Sequence, residues 1–283
     1  MSTPRPSAPP PPASGGSGPA ATALPKLGKL EAKFQPPRII LNAVEGWGKT
    51  TAGAYAPNPA ILMARGETGY TTLLGAGSVP SVDAALIDTW PELLAIIDDL
   101  VGADRGYGSI VLDAMGGFER LCHEHVCRRD FGGDWGEKGF AAYAKGFDRA
   151  AGDWLQLLAR LEKLRDARGV PVIVLTHSQV KPFKNPIGTD FDRYVADCHP
   201  KTWAPTSKWA DCVLFGNHYQ IVEEKQKGRA KGVGGNQRVI HTEHNDAWDA
   251  KNRYGMPAVI DIPDDYTQVW STIWAAIKGE NNA

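Results

Sequence analysis

Ala43-Val44-Glu45-Gly46-Trp47-Gly48-Lys49-Thr50 is the stretch on which the reading of this chain turns. It stands between an apolar run, Arg38 to Asn42, and a segment of helical spacing that begins at Lys49. A strand therefore feeds a glycine-rich turn that opens a helix, the context a phosphate-binding loop requires. Glycines let backbone N–H groups turn inward around a phosphate, and the helix start adds its positive end. The lysine reaches the outer phosphates and the threonine hydroxyl ligates magnesium. Glu45, Gly46, Trp47, Gly48, Lys49, Thr50 and Thr51 are accordingly the candidate nucleotide-binding residues. Ala43 stands where the usual pattern has its first glycine, so the strand exit has to accommodate a methyl group.

Two carboxylates belong with this loop. Ser109-Ile110-Val111-Leu112-Asp113 is an apolar strand ending in an acid, the form of a Walker B strand, and Asp113 with Thr50 makes the expected magnesium site. The next residue is Ala114, so the group that orients and deprotonates an attacking water has to come from elsewhere. Glu67 follows the apolar run Ala60 to Ala64. A neighbouring parallel strand would deliver it to the same sheet edge as the outer phosphate, which makes Glu67 the candidate base; the alternative is an acid on a solvated loop.

Outward from these stations the pattern is α/β. Arg38 to Asn42, Ala60 to Ala64, Ala84 to Thr89, Ser109 to Asp113 and Val170 to Thr176 read as buried strands. Helical spacing fills the segments from Lys49, Pro91 and Gly117 and the run Ala141 to Arg168. That alternation predicts a mainly parallel sheet. From Asp211 the rhythm changes to strands without helices between them, at Cys212 to Phe215, Tyr219 to Val222, Arg238 to Thr242 and Ala258 to Ile262, which predicts antiparallel strands added on the C-terminal side. A closing amphipathic helix over Thr267 to Ile277 sets Trp270 and Trp274 against the core.

Residues 1–27 hold eight of the 21 prolines and a Gly-Gly-Ser-Gly stretch, which predicts a flexible tail ahead of one domain over 28–283. The whole chain is 42% hydrophobic and 22% charged, as in a globular protein, and its net charge of -1 leaves nucleic-acid contact to local basic patches. Four cysteines, no secretory signal and no run of 18 apolar residues fit free thiols in a cytoplasmic setting and no membrane span. Cys122-His123-Glu124-His125-Val126-Cys127 has zinc-ligand residue types, but a helix would point them around several faces, so no metal other than magnesium is expected.

With these stations in place the chain resembles RecA-type recombinases, which carry the catalytic glutamate on the strand after the phosphate-loop helix. The resemblance implies a RecA-like P-loop NTPase fold with ATP and Mg2+ as cofactors. Val172-Ile173-Val174-Leu175-Thr176-His177-Ser178 is similar to the family's sensor strand, which makes Thr176 and His177 candidates for sensing the outer phosphate. Ala250-Lys251-Asn252-Arg253-Tyr254-Gly255-Met256-Pro257 looks like a segment that reaches a neighbour's ATP, which implies a homo-oligomer, ring or filament, with Lys251 and Arg253 acting across the interface. Trp135 to Tyr143, His177 to Asn185 and Ala210 to Phe215 resemble phage-encoded, AAA-family, RecA-like ATPases linked to single-strand annealing, over about Arg38 to Ile277. Such a protein would work in the bacterial host cytoplasm.

Single-stranded DNA is the partner this implies. The stretch from the sensor strand to Trp209 reads as a long loop and interleaves Lys181, Lys184, Arg193 and Lys201 with Phe183, Phe191, Tyr194 and Trp203. Cations suit phosphates and rings suit unstacked bases; the rings can equally anchor the loop. Lys225, Lys227, Arg229 and Lys231 precede a glycine run between two strands, a hairpin tip that either grips phosphates or is simply solvated. The expected function is ATP hydrolysis coupled to annealing or recombination. The rivals are an ATP-switched adaptor, such as a helicase loader, and a small-molecule kinase, for which no lid is evident.

Overall fold

Apolar runs buried on both faces need cover on both sides, and parallel strands need crossovers to return the chain to the same edge. The computed structural model of the protein describes residues 28–29, 31, 33–225 and 229–280, and the side chains of those outside 220–234. The chain divides into Met1–Phe34 and a compact unit, Gln35–Ala283, which holds all the strands and helices below. In order these are β1 (Arg38–Ala43), α1 (Lys49–Ala54), β2 (Pro59–Ala64), α2 (Gly69–Gly75), β3 (Asp83–Ile87), α3 (Trp90–Gly102), β4 (Ser109–Asp113), α4 (Met115–Phe131) and α5 (Lys145–Arg168). Then come β5 (Val172–Phe183), β6 (Phe191–Ala196), α6 (Pro200–Trp209), β7 (Cys212–Lys225), β8 (Arg229–His241), β9 (Lys251–Asn252), β10 (Val259–Ile262) and α7 (Val269–Lys278).

The sheet runs β10-β8-β7-β1-β5-β4-β2-β3, with β6 on β5 and β9 on β7. Strands β7, β1, β5, β4, β2 and β3 are mutually parallel. Antiparallel pairing adds β8 and β9 to β7, β10 to β8, and β6 to β5. Alternate residues of β1 serve opposite cores, which is why it reads as one unbroken apolar run. Ile40 packs with α3, α4 and α5, and Ile39 and Leu41 pack with α1 and α7. Trp270 on α7 donates its indole N–H to Ala52 O at 2.7 Å, fastening α7 to the phosphate-loop helix. Trp90 at the start of α3 stacks on Trp154 of α5 at 5.8 Å.

Three expectations need correction. Cys212 to Phe215 pairs in parallel with β1, because α6 supplies a crossover that the proline- and lysine-rich sequence concealed. The stretch read as a long loop is a hairpin, β5 and β6, followed by α6. Tyr219 to Val222 is no separate strand but the continuation of β7, past an irregularity between His218 and Gln220. The antiparallel addition otherwise starts at β8, and the closing helix is present. The four cysteines are free thiols.

Candidate nucleotide site

Register sets the site. Ala43 lies beside His177 and Asn42 beside Thr176, while Asp113 lies beside Met63. Strands β1, β5, β4 and β2 therefore all end at one sheet edge, with β5 between the loop strand and the Asp113 strand. The chain leaves that edge as the glycine-rich turn, as the acid of β4, as the Arg65-to-Thr68 turn carrying Glu67, and as the polar end of β5.

Gly48 takes a left-handed conformation, φ 95°, that side chains other than glycine's seldom adopt. A Cβ there would also fall 2.0 Å from the Tyr266 hydroxyl. Lys49 is buried, and its ammonium donates to Ala43 O at 2.9 Å and Val44 O at 3.1 Å. Burial holds its pKa below the usual lysine value, with Asp113, Glu45 and Glu67 opposing the shift. Asp113 is hydrogen-bonded by the Thr50 hydroxyl, and its carboxyl is pushed up to about 6, chiefly by burial and further by Glu67, against Thr50 and Lys49. Thr50 and Asp113 thus bring two hard oxygen donors together, the donor chemistry magnesium takes.

A cavity of about 510 Å³ opens over this loop, lined by Glu45, Gly46, Gly48, Lys49, Thr50 and Thr51, with His177 and Tyr266 at its walls. That volume is within the range of about 300–1,000 Å³ usual for small-ligand sites. Trp47, read as part of the site, is not among the residues that line this cavity. Its ring is fully buried and its indole N–H donates to Val239 O at 3.3 Å.

His177 also borders a second cavity of about 520 Å³, and it is this one, not the cavity over the loop, that Glu67 lines, with Gln179, Lys181, Asp197 and Glu119. The Glu67 turn is tied by its N–H to Ala64 O at 2.9 Å. The start of α4 crosses closely over it, since a Cβ on Gly117 would lie 2.5 Å from Ala64 Cβ and 3.3 Å from Glu67 Oε1. His177 lies on the exposed part of β5, and partial desolvation and the charge of Lys49 keep it toward its neutral form. Gln179 donates to Asp197 at 2.7 Å, and the Asp197 N–H returns to His177 O at 2.7 Å, so the hairpin foot is tied to the end of β5. Sequence reading missed Tyr266, Gln179, Asp197 and Glu119. Only the Gly116-Gly117 pair, separated from Ala114 by Met115, hinted at a close approach there.

The remaining candidates lie apart. Lys251 stands opposite Val213 on β7, and Cys212 stands opposite Ile39 at the start of β1. Four residues of strand, ~13 Å, therefore separate this edge from the loop. The Lys251 ammonium donates to Ser207 O, Lys208 O and Ala210 O at 3.0, 3.0 and 2.6 Å, covering the C-terminal carbonyls of α6. Arg253 bonds Asp211 at 2.9 Å, and Arg38 holds the same carboxylate at 2.8 Å. Both cations read as reaching a neighbour are engaged within their own chain. Lys251→Ala is expected to lower the thermal midpoint of the nucleotide-free protein by the equivalent of about 1–2 kcal/mol, because three carbonyls lose their donor. An unchanged melting curve would mean that the ammonium is not held there.

Among the DNA candidates, Lys181 and Lys184 are exposed on the β5–β6 hairpin, Lys181 at the cavity beside Glu67. Arg193 is committed to Asp249 at 2.7 Å and lies over the Phe183 ring, and Lys201 pairs with Asp148. Lys225, Arg229 and Lys231 sit on the paired strands β7 and β8, with Lys225 opposite Arg229. Their side chains and all of Lys227 lie outside the described residues.

A family model described as an AAA domain matches residues 35–254, from just before β1 to just beyond β9. The chain belongs to this AAA-domain family. Its fold is α/β, with a mainly parallel sheet and antiparallel strands at the C-terminal side. Among solved structures it is similar to the RadB recombinase, at 12% identity over 83% of this chain and 90% of that one, with a TM-score of 0.44. No curated protein matches it. No helix among the described residues is long and apolar enough to cross a membrane.

Proposed function

We propose that this AAA-domain protein hydrolyses ATP with magnesium and couples that reaction to single-stranded DNA, in annealing or recombination of the kind phage-encoded RecA-like ATPases perform. One observation carries the proposal: the cavity lined by Lys49 and Thr50, whose hydroxyl bonds Asp113, shares His177 with a second cavity lined by Glu67 and Lys181, at the foot of a hairpin on which Lys181 and Lys184 are exposed. Lys49 and the loop amides would hold the β- and γ-phosphates. Thr50 and Asp113 would hold magnesium, which neutralises charge developing on the phosphates. Glu67 would take the proton from water, and neutral His177 would hydrogen-bond the outer phosphate. Binding and loss of that phosphate would bias the β5–β6 hairpin through Gln179 and Asp197.

Single strands would meet Lys181, Lys184 and the hairpin rings, with Lys225, Lys227, Arg229 and Lys231 as a second grip. Arg193 and Lys201 would contribute only by exchanging Asp249 and Asp148 for phosphate. The proposal keeps an oligomer with ATP at its interface, in which Lys251 and Arg253 leave their own partners for a neighbour's nucleotide. The host cytoplasm would be its setting; residues 1–27, read as a tail, lie outside the described residues.

Magnesium-dependent ATP hydrolysis with and without single-stranded DNA, using Lys49→Ala as the blank, tests this reading. Stimulation by DNA that is absent from the variant is the expected result. Turnover indifferent to DNA would move the assignment to an ATP-switched adaptor, and absence of ATP binding would end both.

A further inference from the structure

Tyr266 lies 219 residues from Trp47 in sequence yet touches the phosphate loop, its hydroxyl directed to Trp47 O at 3.4 Å. Its ring packs where Gly48 has no side chain. Behind it sits Arg238, only 4% exposed, with its guanidinium carbon 3.7 Å from the Tyr266 ring centroid and 5.7 Å from the Trp47 centroid. That guanidinium is itself held by donation to Pro263 O and Asp264 O. A tyrosine fixed at its hydroxyl and over one ring face has little rotamer freedom left to lose, so its free surface is a preorganised wall.

That wall borders the phosphate-loop cavity. Thr72 and Leu73 of α2 and Thr51 of α1 line the same cavity. Its lining joins polar groups of the loop and Lys49 to the aromatic ring of Tyr266 and the aliphatic side chain of Leu73. A ligand of matching shape has charged phosphates at one end and a planar aromatic group at the other.

We infer that Tyr266 is the nucleobase platform of this site: a nucleoside triphosphate held by the loop lays its base between the Tyr266 ring and the Leu73 side of α2. This rests on the phosphate-loop reading above and adds to it the recognition of the base. Packing alone does not account for the residue, because a core ring has no need to border the ligand cavity half-exposed with its hydroxyl on the loop. Stacking of a base on an aromatic ring is worth about 1–3 kcal/mol by alanine substitution.

Equilibrium binding of Mg-ATP and of magnesium tripolyphosphate, measured by calorimetry on the full chain, tests the inference. Tripolyphosphate keeps the phosphates and lacks the base, so it also reports whether a variant still folds a working loop. Tyr266→Ala is expected to weaken ATP about tenfold, equal to about 1.4 kcal/mol, and to leave tripolyphosphate unchanged; Tyr266→Phe should bind ATP nearly as the native protein does. An unchanged ratio of the two affinities in Tyr266→Ala would overturn the inference, and so would an equal loss of both, which would make the ring a prop for the loop. If the native chain bound neither ligand, the phosphate-loop reading itself would fail.

Discussion

Glu67→Gln is expected to slow ATP hydrolysis by about 10²- to 10⁴-fold, the range a positioned general base contributes, while Mg-ATP binding stays within about twofold of the native value. Three features converge on this residue. Ala114 leaves no acid beside Asp113, so the base has to arrive from another strand. β2 is the parallel neighbour of β4, and its exit turn carries Glu67 to the edge where Asp113 and Lys49 feel its charge. Gly117 then lets α4 begin within contact of the Glu67 carboxylate, which restricts the rotamers the side chain can take. Glutamine preserves the shape and hydrogen-bonding reach and removes only the capacity to accept a proton. Single-turnover hydrolysis alongside equilibrium ATP binding separates the two quantities. A rate within threefold of native would remove Glu67 from the chemistry and leave it as a wall of the second cavity.

How much of this was legible in the sequence follows the distance between the groups involved. Gly46 to Thr50 form a local device, in which strand, turn and helix follow one another within a dozen residues, so residue order alone carries the geometry. The placement of Asp113 and Glu67 was legible at one remove, because Asp113 ends a buried strand, Glu67 follows one by three residues, and parallel strands share an exit edge. Tyr266 was not, since its contact with Gly48 spans most of the chain and no periodicity marks it. The β5–β6 hairpin was missed because the fully buried run of β5 ends at Thr176 and gives way to exposed and half-exposed residues, Pro182 among them. That looks like the end of a strand when the antiparallel partner that sustains it is unknown. Lys251 is the opposite case: a cation within a suggestive motif also caps the helix that ends at Trp209. Such a role depends on a crossover that residue types do not reveal.

Asp113→Asn is expected to stabilise the nucleotide-free protein at pH 7.5 while abolishing its magnesium-dependent nucleotide binding. Burial is the largest cause of the rise in the Asp113 pKa to about 6 from 3.8. A folded value above the unfolded one means that the folded chain holds this proton more tightly. Stability on this account is highest below about pH 4, falls as pH rises to about 6, and stays reduced above it. At pH 7.5 the ionised, buried carboxylate then costs about 1–3 kcal/mol, a cost the neutral amide avoids; at pH 4 the variant and native proteins should melt alike. Magnesium reverses the preference, because only the ionised carboxylate serves as its ligand. Native Mg-ATP affinity should fall about fourfold between pH 7.5 and 5.5 as the ionised fraction drops. Melting curves at the two pH values and a pH series of ATP titrations, with and without magnesium, test both halves. A variant less stable than native at pH 7.5 would show that the Thr50 and Lys49 contacts outweigh burial. If it is more stable and cannot bind Mg-ATP, the fold holds at Asp113 a charge that serves the ligand and works against the empty protein.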